Sequence, residues 1–361
     1  MRIGIIDADL IARKKHRFPN LACMKLSAYH KRQGYDVRLL RSYDDIENYD
    51  KVFISKVFTE TPVPDGITGL SWVEYGGTGF FYDKAPPLPP EIEHIMPDYH
   101  LYDGFVADLI EGGVKPAELK YYTDYSIGFT TRGCIRGCSF CVNKNYRACN
   151  LHSPVGEFLD PSRKYICLLD DNVLACKGWR SIFEELNATG KRFQFKQGMD
   201  ERLLTDESCD VVFGSNWHGD YIFAFDNIKD RRLVERKLQL IRRHTDKIPK
   251  FYCFCGYNHE SPDTYPDEFW VQDIRDIFER IRILFDYHAL PYIVRYKDYE
   301  ASPYRGVYVT LARWCNQPSM AKKKSFREFA ATRKDSQRYA DAFEAAHPDI
   351  AARYYDVRWG E

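Results

Sequence analysis

Three cysteines fall within eight residues, Cys134, Cys138 and Cys141, in the stretch Gly133-Cys134-Ile135-Arg136-Gly137-Cys138-Ser139-Phe140-Cys141. Gly133 and Gly137 let the backbone turn tightly, and Arg132 and Arg136 add positive charge. Thiolates packed this closely repel one another unless a cation or a cluster neutralises them. Soft sulfur ligands on a glycine-bearing loop suit an iron–sulfur cluster or zinc. With three cysteines, a four-iron cluster keeps one iron without a protein ligand, and that iron is where chemistry can occur. Zinc prefers four protein ligands. No second Cys-x2-Cys pair lies nearby, yet Cys149 offers a fourth thiol, so both metals stay open on this loop alone.

A loop of this kind needs a frame. From about Asp124, short apolar runs alternate with helical stretches: Tyr125–Phe129, Tyr165–Leu169, Phe193–Gln197, Tyr221–Phe225, Phe251–Cys255 and Tyr292–Tyr296 read as six strands. Trp179, Ile182, Phe183 and Leu186 mark one amphipathic helix, Leu233, Val234, Leu238 and Ile241 a second. Trp270, Ile274, Ile277, Phe278, Ile281 and Phe285 mark a longer one. Strand and helix in alternation predict a parallel α/β architecture, with the cysteine loop after the first of the six strands.

The spacing Cys134-x3-Cys138-x2-Cys141, with Phe140 before the last cysteine, resembles the radical S-adenosylmethionine (radical SAM) superfamily. The resemblance implies a partial (β/α)6 barrel over residues 106–316. It also implies a [4Fe-4S] cluster on Cys134, Cys138 and Cys141, and SAM chelated at the open iron. Phe140 would shield the cluster near the adenine. Reductive cleavage of SAM would give a 5′-deoxyadenosyl radical that abstracts hydrogen from a substrate. An electron donor such as flavodoxin or ferredoxin would be the partner.

Sites in such barrels gather at the carboxyl ends of the strands, and each end here carries something polar. Asp170 and Asn172 stand where the family has a glycine-glycine-glutamate motif that meets the SAM amino group; Asp171 also suits a helix cap. Gln197 follows the third strand, beside Gly198 and Arg202. Asp226 aligns with a ribose-contacting position, Gly256 with a segment supporting the adenine, and Val294 lies on the strand whose backbone reads the adenine edge. No catalytic acid or base is assigned. Cys253 and Cys255 are read as facing opposite sides of their strand, as small buried residues and not a second metal site.

Residues 1–105 read as a small α/β unit: strands at 2–7, Val37–Leu40 and Val52–Val57, with a helix from Asn20 to Arg32 stopped near Gly34. A further strand enters the glycine loop Gly76-Gly77-Thr78-Gly79, read first as a turn. This part resembles the cobalamin-binding-like domain that precedes the barrel in many relatives. The pattern Asp-x-His-x-x-Gly is missing: Asp98-Tyr99-His100 is followed by Gly104, one residue too far. Cobalamin held by a lower histidine ligand is therefore not expected, while binding without that histidine stays open. Pro86, Pro87, Pro89 and Pro90 form a stiff connector. Residues 317–361 read as a helical extension, with the basic, aromatic stretch Arg353–Trp359 packing back.

The 361 residues carry 52 basic and 52 acidic side chains, so net charge gives no push toward nucleic acid or an anionic membrane. Eleven cysteines without a pairing pattern, no apolar run of membrane-spanning length and no signal-peptide core predict a cytoplasmic protein. Peptide, nucleotide and small-metabolite substrates all fit. Two other readings stand beside hydrogen abstraction: a cobalamin-dependent radical SAM methyltransferase, and a non-catalytic iron–sulfur or zinc protein.

Overall fold

The computed structural model describes residues 1–144, 147–262 and 264–361. The chain divides into two compact units, Met1–Gln194 and Phe195–Glu361.

In the first unit, strands β1 (Arg2–Asp7), β2 (Asp36–Leu40), β3 (Lys51–Ser55) and β4 (Val73–Gly76) form one parallel sheet in the order β2-β1-β3-β4. Ile3, Ile5 and Ile6 of β1 are fully buried, as a central strand covered on both faces requires. The helix Leu21–Arg32 starts where the Asn20 side chain accepts from the Cys23 N–H and stops before Gly34, whose φ of 78° suits glycine. The glycine loop after β4 is a close approach of the chain to itself. At Gly77 (φ 103°) a Cβ would meet the Lys56 carbonyl oxygen at 2.3 Å, so the turn reading holds.

Strand β5 (Tyr125–Gly128) begins a second sheet. Two short strands, β6 (Thr131–Arg132) and β7 (Asn150–Leu151), pair antiparallel, with Thr131 opposite Leu151 and Arg132 opposite Asn150. Strand β8 (Tyr165–Leu168) then runs parallel to β5, and β9 (Arg192–Phe195) completes the order β5-β8-β9. The expected helix between β8 and β9 is Trp179–Ala188.

In the second unit, β10 (Ile222–Ala224), β11 (Lys250–Cys255) and β12 (Leu290–Arg295) form a parallel sheet in that order. Helices Arg231–His244 and Asp267–Asp286 supply the expected connections. Cys253 and Cys255 share the buried face of β11 with Phe251, which corrects their expected opposite orientation: residues two apart on a strand point the same way. Within the helical extension, helices run over Phe326–Ala330 and Lys334–Ala346. The tail packs back as expected, with Tyr355 fully buried and Tyr354 stacked 5.8 Å from Phe278. Among the described residues no helix is long and apolar enough to cross a membrane.

Candidate functional site

The cysteine loop spans residues 133–149 between β6 and β7, so the two-residue ladder closes its neck. Of the eleven cysteines, Cys134, Cys138 and Cys141 are half-buried, and the other eight are buried. A tight turn carries the last two, with the Cys141 N–H donating to the Cys138 carbonyl at 3.0 Å. Gly137 (φ 58°) stands at the turn, where a Cβ would lie 1.9 Å from the Arg147 guanidinium. Burial pushes the Cys141 thiol above its ordinary pKa. Cys149 is a different kind of thiol: it donates to the Asn172 carbonyl at 3.2 Å, and burial pushes it up to about 11.

The acidic segment after β8 holds this loop from below. The Asp170 carboxylate, fully buried, accepts from the Thr130 N–H (3.0 Å) and Oγ1 (2.6 Å) and from the Thr131 N–H (2.6 Å) and Oγ1 (2.8 Å). Burial raises its pKa to about 6, while these four donors pull the other way. Asp171 accepts from the Gly133 N–H at 3.0 Å and from the Asn143 side chain. The Asn172 side-chain amide lies 3.4 Å from Cys134 Sγ. Three consecutive residues thus grip the start of the cysteine loop and its far side. No periodicity marks such a clamp in the sequence, but a run of two acids and an amide directly after a buried strand is a visible sign.

A second anchor lies at the neck. Glu93 is buried and takes Lys25 at 2.8 Å, Arg132 at 3.3 Å and His152 at 3.5 Å. Arg132 also lies 3.4 Å over the Phe129 ring. Burial, then Arg132, lowers His152 to about 4, so it is neutral at pH 7. On the loop's outer side, the Tyr82 hydroxyl donates to the Phe140 carbonyl at 2.9 Å. Tyr82 takes this place at φ 49°, unusual for a side-chain-bearing residue.

The loop's donor set fits a group with three soft ligands. A single zinc ion would draw its thiolates to within about 4 Å of each other. Among the described residues no group of three His, Cys, Asp or Glu side chains is arranged to hold one ion. In a four-iron cluster each thiolate binds a different iron.

In the second unit the anticipated site residues belong to a lock on the strand ends. Asp226 accepts from the Phe254 N–H at 3.0 Å, and burial raises its pKa. Gly256 (φ 75°) donates its N–H to Asp273 at 2.8 Å, and a Cβ there would meet Tyr299 at 2.9 Å. Asp273 also accepts from the Tyr308 hydroxyl at 2.7 Å. Buried Arg280 donates to the carbonyls of Phe225 (2.8 Å), Phe254 (2.9 Å) and Asp226 (3.0 Å). The Val294 carbonyl accepts from the Cys255 thiol at 3.6 Å, and Gln197 is exposed. Sequence reading passed over Asp273 and Arg280, although both interrupt the apolar stripe of their helix.

In the near-miss segment, Asp98 accepts from Lys31 at 2.7 Å and Ser27 at 2.6 Å, and exposed His100 pairs with Asp103. Neither faces a ligand site of the usual pattern.

The fold has a counterpart among solved structures. It matches the structure of TsrM, a radical SAM methyltransferase from Kitasatospora setae solved with cobalamin and a [4Fe-4S] cluster. The TM-score is 0.52 at 12% identity, over 81% of this chain and 72% of that one. A second solved structure is OxsB, a cobalamin-dependent SAM radical enzyme with aqua-cobalamin and SAM bound. Its TM-score is 0.45 at 11% identity, over 99% of this chain and 64% of that one. No family model and no curated protein sequence matches the chain.

Proposed function

We propose that this chain is a radical SAM enzyme. The observation that carries the reading is the separation of its thiols: the three at the motif spacing stand on a clamped loop outside the core, and the other eight are buried. Cys134, Cys138 and Cys141 would hold a [4Fe-4S] cluster, and the shared fold supports the placement. With SAM bound, that group supplies reductive cleavage to a 5′-deoxyadenosyl radical, on an electron from a donor such as flavodoxin or ferredoxin. The chain's own part is to hold and orient. Asp170 and Asp171 hold the loop in place, and Phe140, its carbonyl tethered by Tyr82, would shield the cluster. Asp226, Gly256 and Val294, on strand ends made rigid by Arg280 and Asp273, would offer acceptors and backbone to the SAM ribose and adenine, and Gln197, exposed after β9, would add a polar contact. The six strands β5 and β8–β12 would form the partial barrel over residues 106–316, after a cobalamin-binding-like domain at 1–105 and before a helical extension at 317–361.

Anaerobic reconstitution, followed by dithionite and SAM, should release 5′-deoxyadenosine. A protein with full iron and sulfide that leaves SAM intact would overturn the reading.

A second reading, cobalamin-dependent radical methyl transfer, draws on the fold shared with TsrM. Against it stands the carboxyl edge of the first sheet, where ligands of open α/β sheets sit. Asp9 spans that edge to the Val57 N–H (2.7 Å) and to Thr61, and Asn20 donates to Ser55 at 2.9 Å. Visible spectra after addition of cobalamin separate the two readings: retention of the corrinoid through gel filtration selects methyl transfer.

A further inference from the structure

We propose that Asn172 sets the reduction potential of the metal centre by donating its side-chain N–H to the Cys134 sulfur; this role rests on the cluster reading above. Two observations point to it independently. The amide nitrogen stands 3.4 Å from Cys134 Sγ. Asn172 also occupies the residue before the short helical turn Val173–Ala175, where asparagine ordinarily caps with its side chain, yet no side-chain cap is made. The side chain has been diverted from the helix end to the sulfur.

The surroundings make that aim rigid. Asn172 is buried, its carbonyl accepts from the Cys149 thiol at 3.2 Å, and Asp170 and Asp171 fix the two residues before it. A donor to a cluster thiolate withdraws electron density from sulfur and stabilises the added negative charge of the reduced state, which raises the potential. The backbone N–H of Asn143, 3.4 Å from Cys141 Sγ, acts in the same direction but offers no side chain to vary. Asn172 is therefore a position through which the sequence can adjust how readily the centre accepts an electron. It is a positioning and tuning residue; it does not touch the reacting atoms.

The test compares wild type, N172A and N172D, each reconstituted anaerobically and assayed for iron and sulfide. Each is then titrated with dithionite while the reduced centre is followed by electron paramagnetic resonance. Loss of the donor should shift the midpoint to more negative potential, lowering the reduced-to-oxidised ratio about tenfold at fixed poise, or about 59 mV for one electron. N172D, of similar size but with a charge and no donor, should shift at least as far. Fully loaded variants titrating at the wild-type midpoint would overturn the role of Asn172 and leave the cluster reading standing. So would failure of both variants to take up iron, because a residue that only tunes leaves assembly intact. Wild-type protein that takes up no iron overturns the cluster reading, and this role with it.

Discussion

The acidic residues after β8 and those around β11 are alike in type and burial, and in both places donors of the chain satisfy them. After β8, Asp170 and Asp171 accept from backbone and hydroxyl groups of a loop, and the thiols on that loop stand outside the core. Around β11, Asp273 and Arg280 reach from a helix to the ends of strands, and the neighbouring thiols of Cys253 and Cys255 are sealed inside. One set braces a loop of half-buried thiols, the proposed cluster ligands; the other stiffens a sheet. A buried carboxylate at a strand end is therefore no sign of a ligand until its own hydrogen bonds have been counted.

The sharpest way to break that contrast is to remove thiols from each region. Replacing any of Cys134, Cys138 or Cys141 by alanine should abolish stable iron incorporation, measured by metal analysis after reconstitution. C253A or C255A should keep full iron and lose about 1 kcal/mol of stability through the small cavity left behind. Equal iron loss from both sets would erase the distinction.

The platform itself is tested by D170N. The amide keeps one acceptor and turns the other position into a donor facing donors, so denaturant unfolding should show a loss of about 3 kcal/mol. Iron retention during gel filtration should fall with it.

Acidity separates the regions more gently. Burial, and then neighbouring Asp200, raises Glu201 from 4.5 to about 8, whereas Asp170 reaches only about 6. A carboxyl with a raised folded pKa holds its proton more tightly in the folded state. Its stabilisation is full below the unfolded pKa and is lost as pH climbs through the folded one. Glu201 alone should therefore contribute a decline between about pH 4.5 and 8, at up to about 1.4 kcal/mol per pH unit. E201Q should flatten this decline above about pH 7, where the contributions of Asp170, raised to about 6, and of buried Asp7, raised to about 7, have ended. An unchanged slope would remove Glu201 from the account.

The smallest effect belongs to Y82F, which deletes one hydroxyl donor to Phe140 at a partly exposed site. About 0.5 kcal/mol of stability should be lost, with iron content unchanged.

Much of this was legible in the chain itself. All six strand runs after Asp124 recur in the structure, because buried strands and striped helices carry periodicity. The Asn20 cap and the Gly34 stop were equally plain. The β6–β7 pair was not, since two-residue strands have no period and depend on a partner eighteen or more positions away in the chain. The polar candidates were found by position after strands, but their partners were hidden: nothing in Leu169-Asp170-Asp171-Asn172 names Thr130, Gly133 or Cys134. Asp273 and Arg280 offered a missed signal. With Trp270, Ile277 and Leu284 they fall at steps of three and four along the buried face of one helix, where a charged group needs an internal partner.

The short ladder at the loop's neck has one more consequence, for the order of events in the cell. Bringing the ends of a loop of about 17 residues together costs on the order of 2.5 kcal/mol in chain entropy. Here Glu93, Arg132, Asp170 and the β6–β7 bonds offset that cost from within the chain. Cys138 and Cys141, with two residues between them and half-buried, are within reach of oxidants, on the path to sulfenic acid or a disulfide. With the proposed cluster, delivery and oxidation would compete for the same three sulfurs, and the outcome would be decided in the interval between folding and loading.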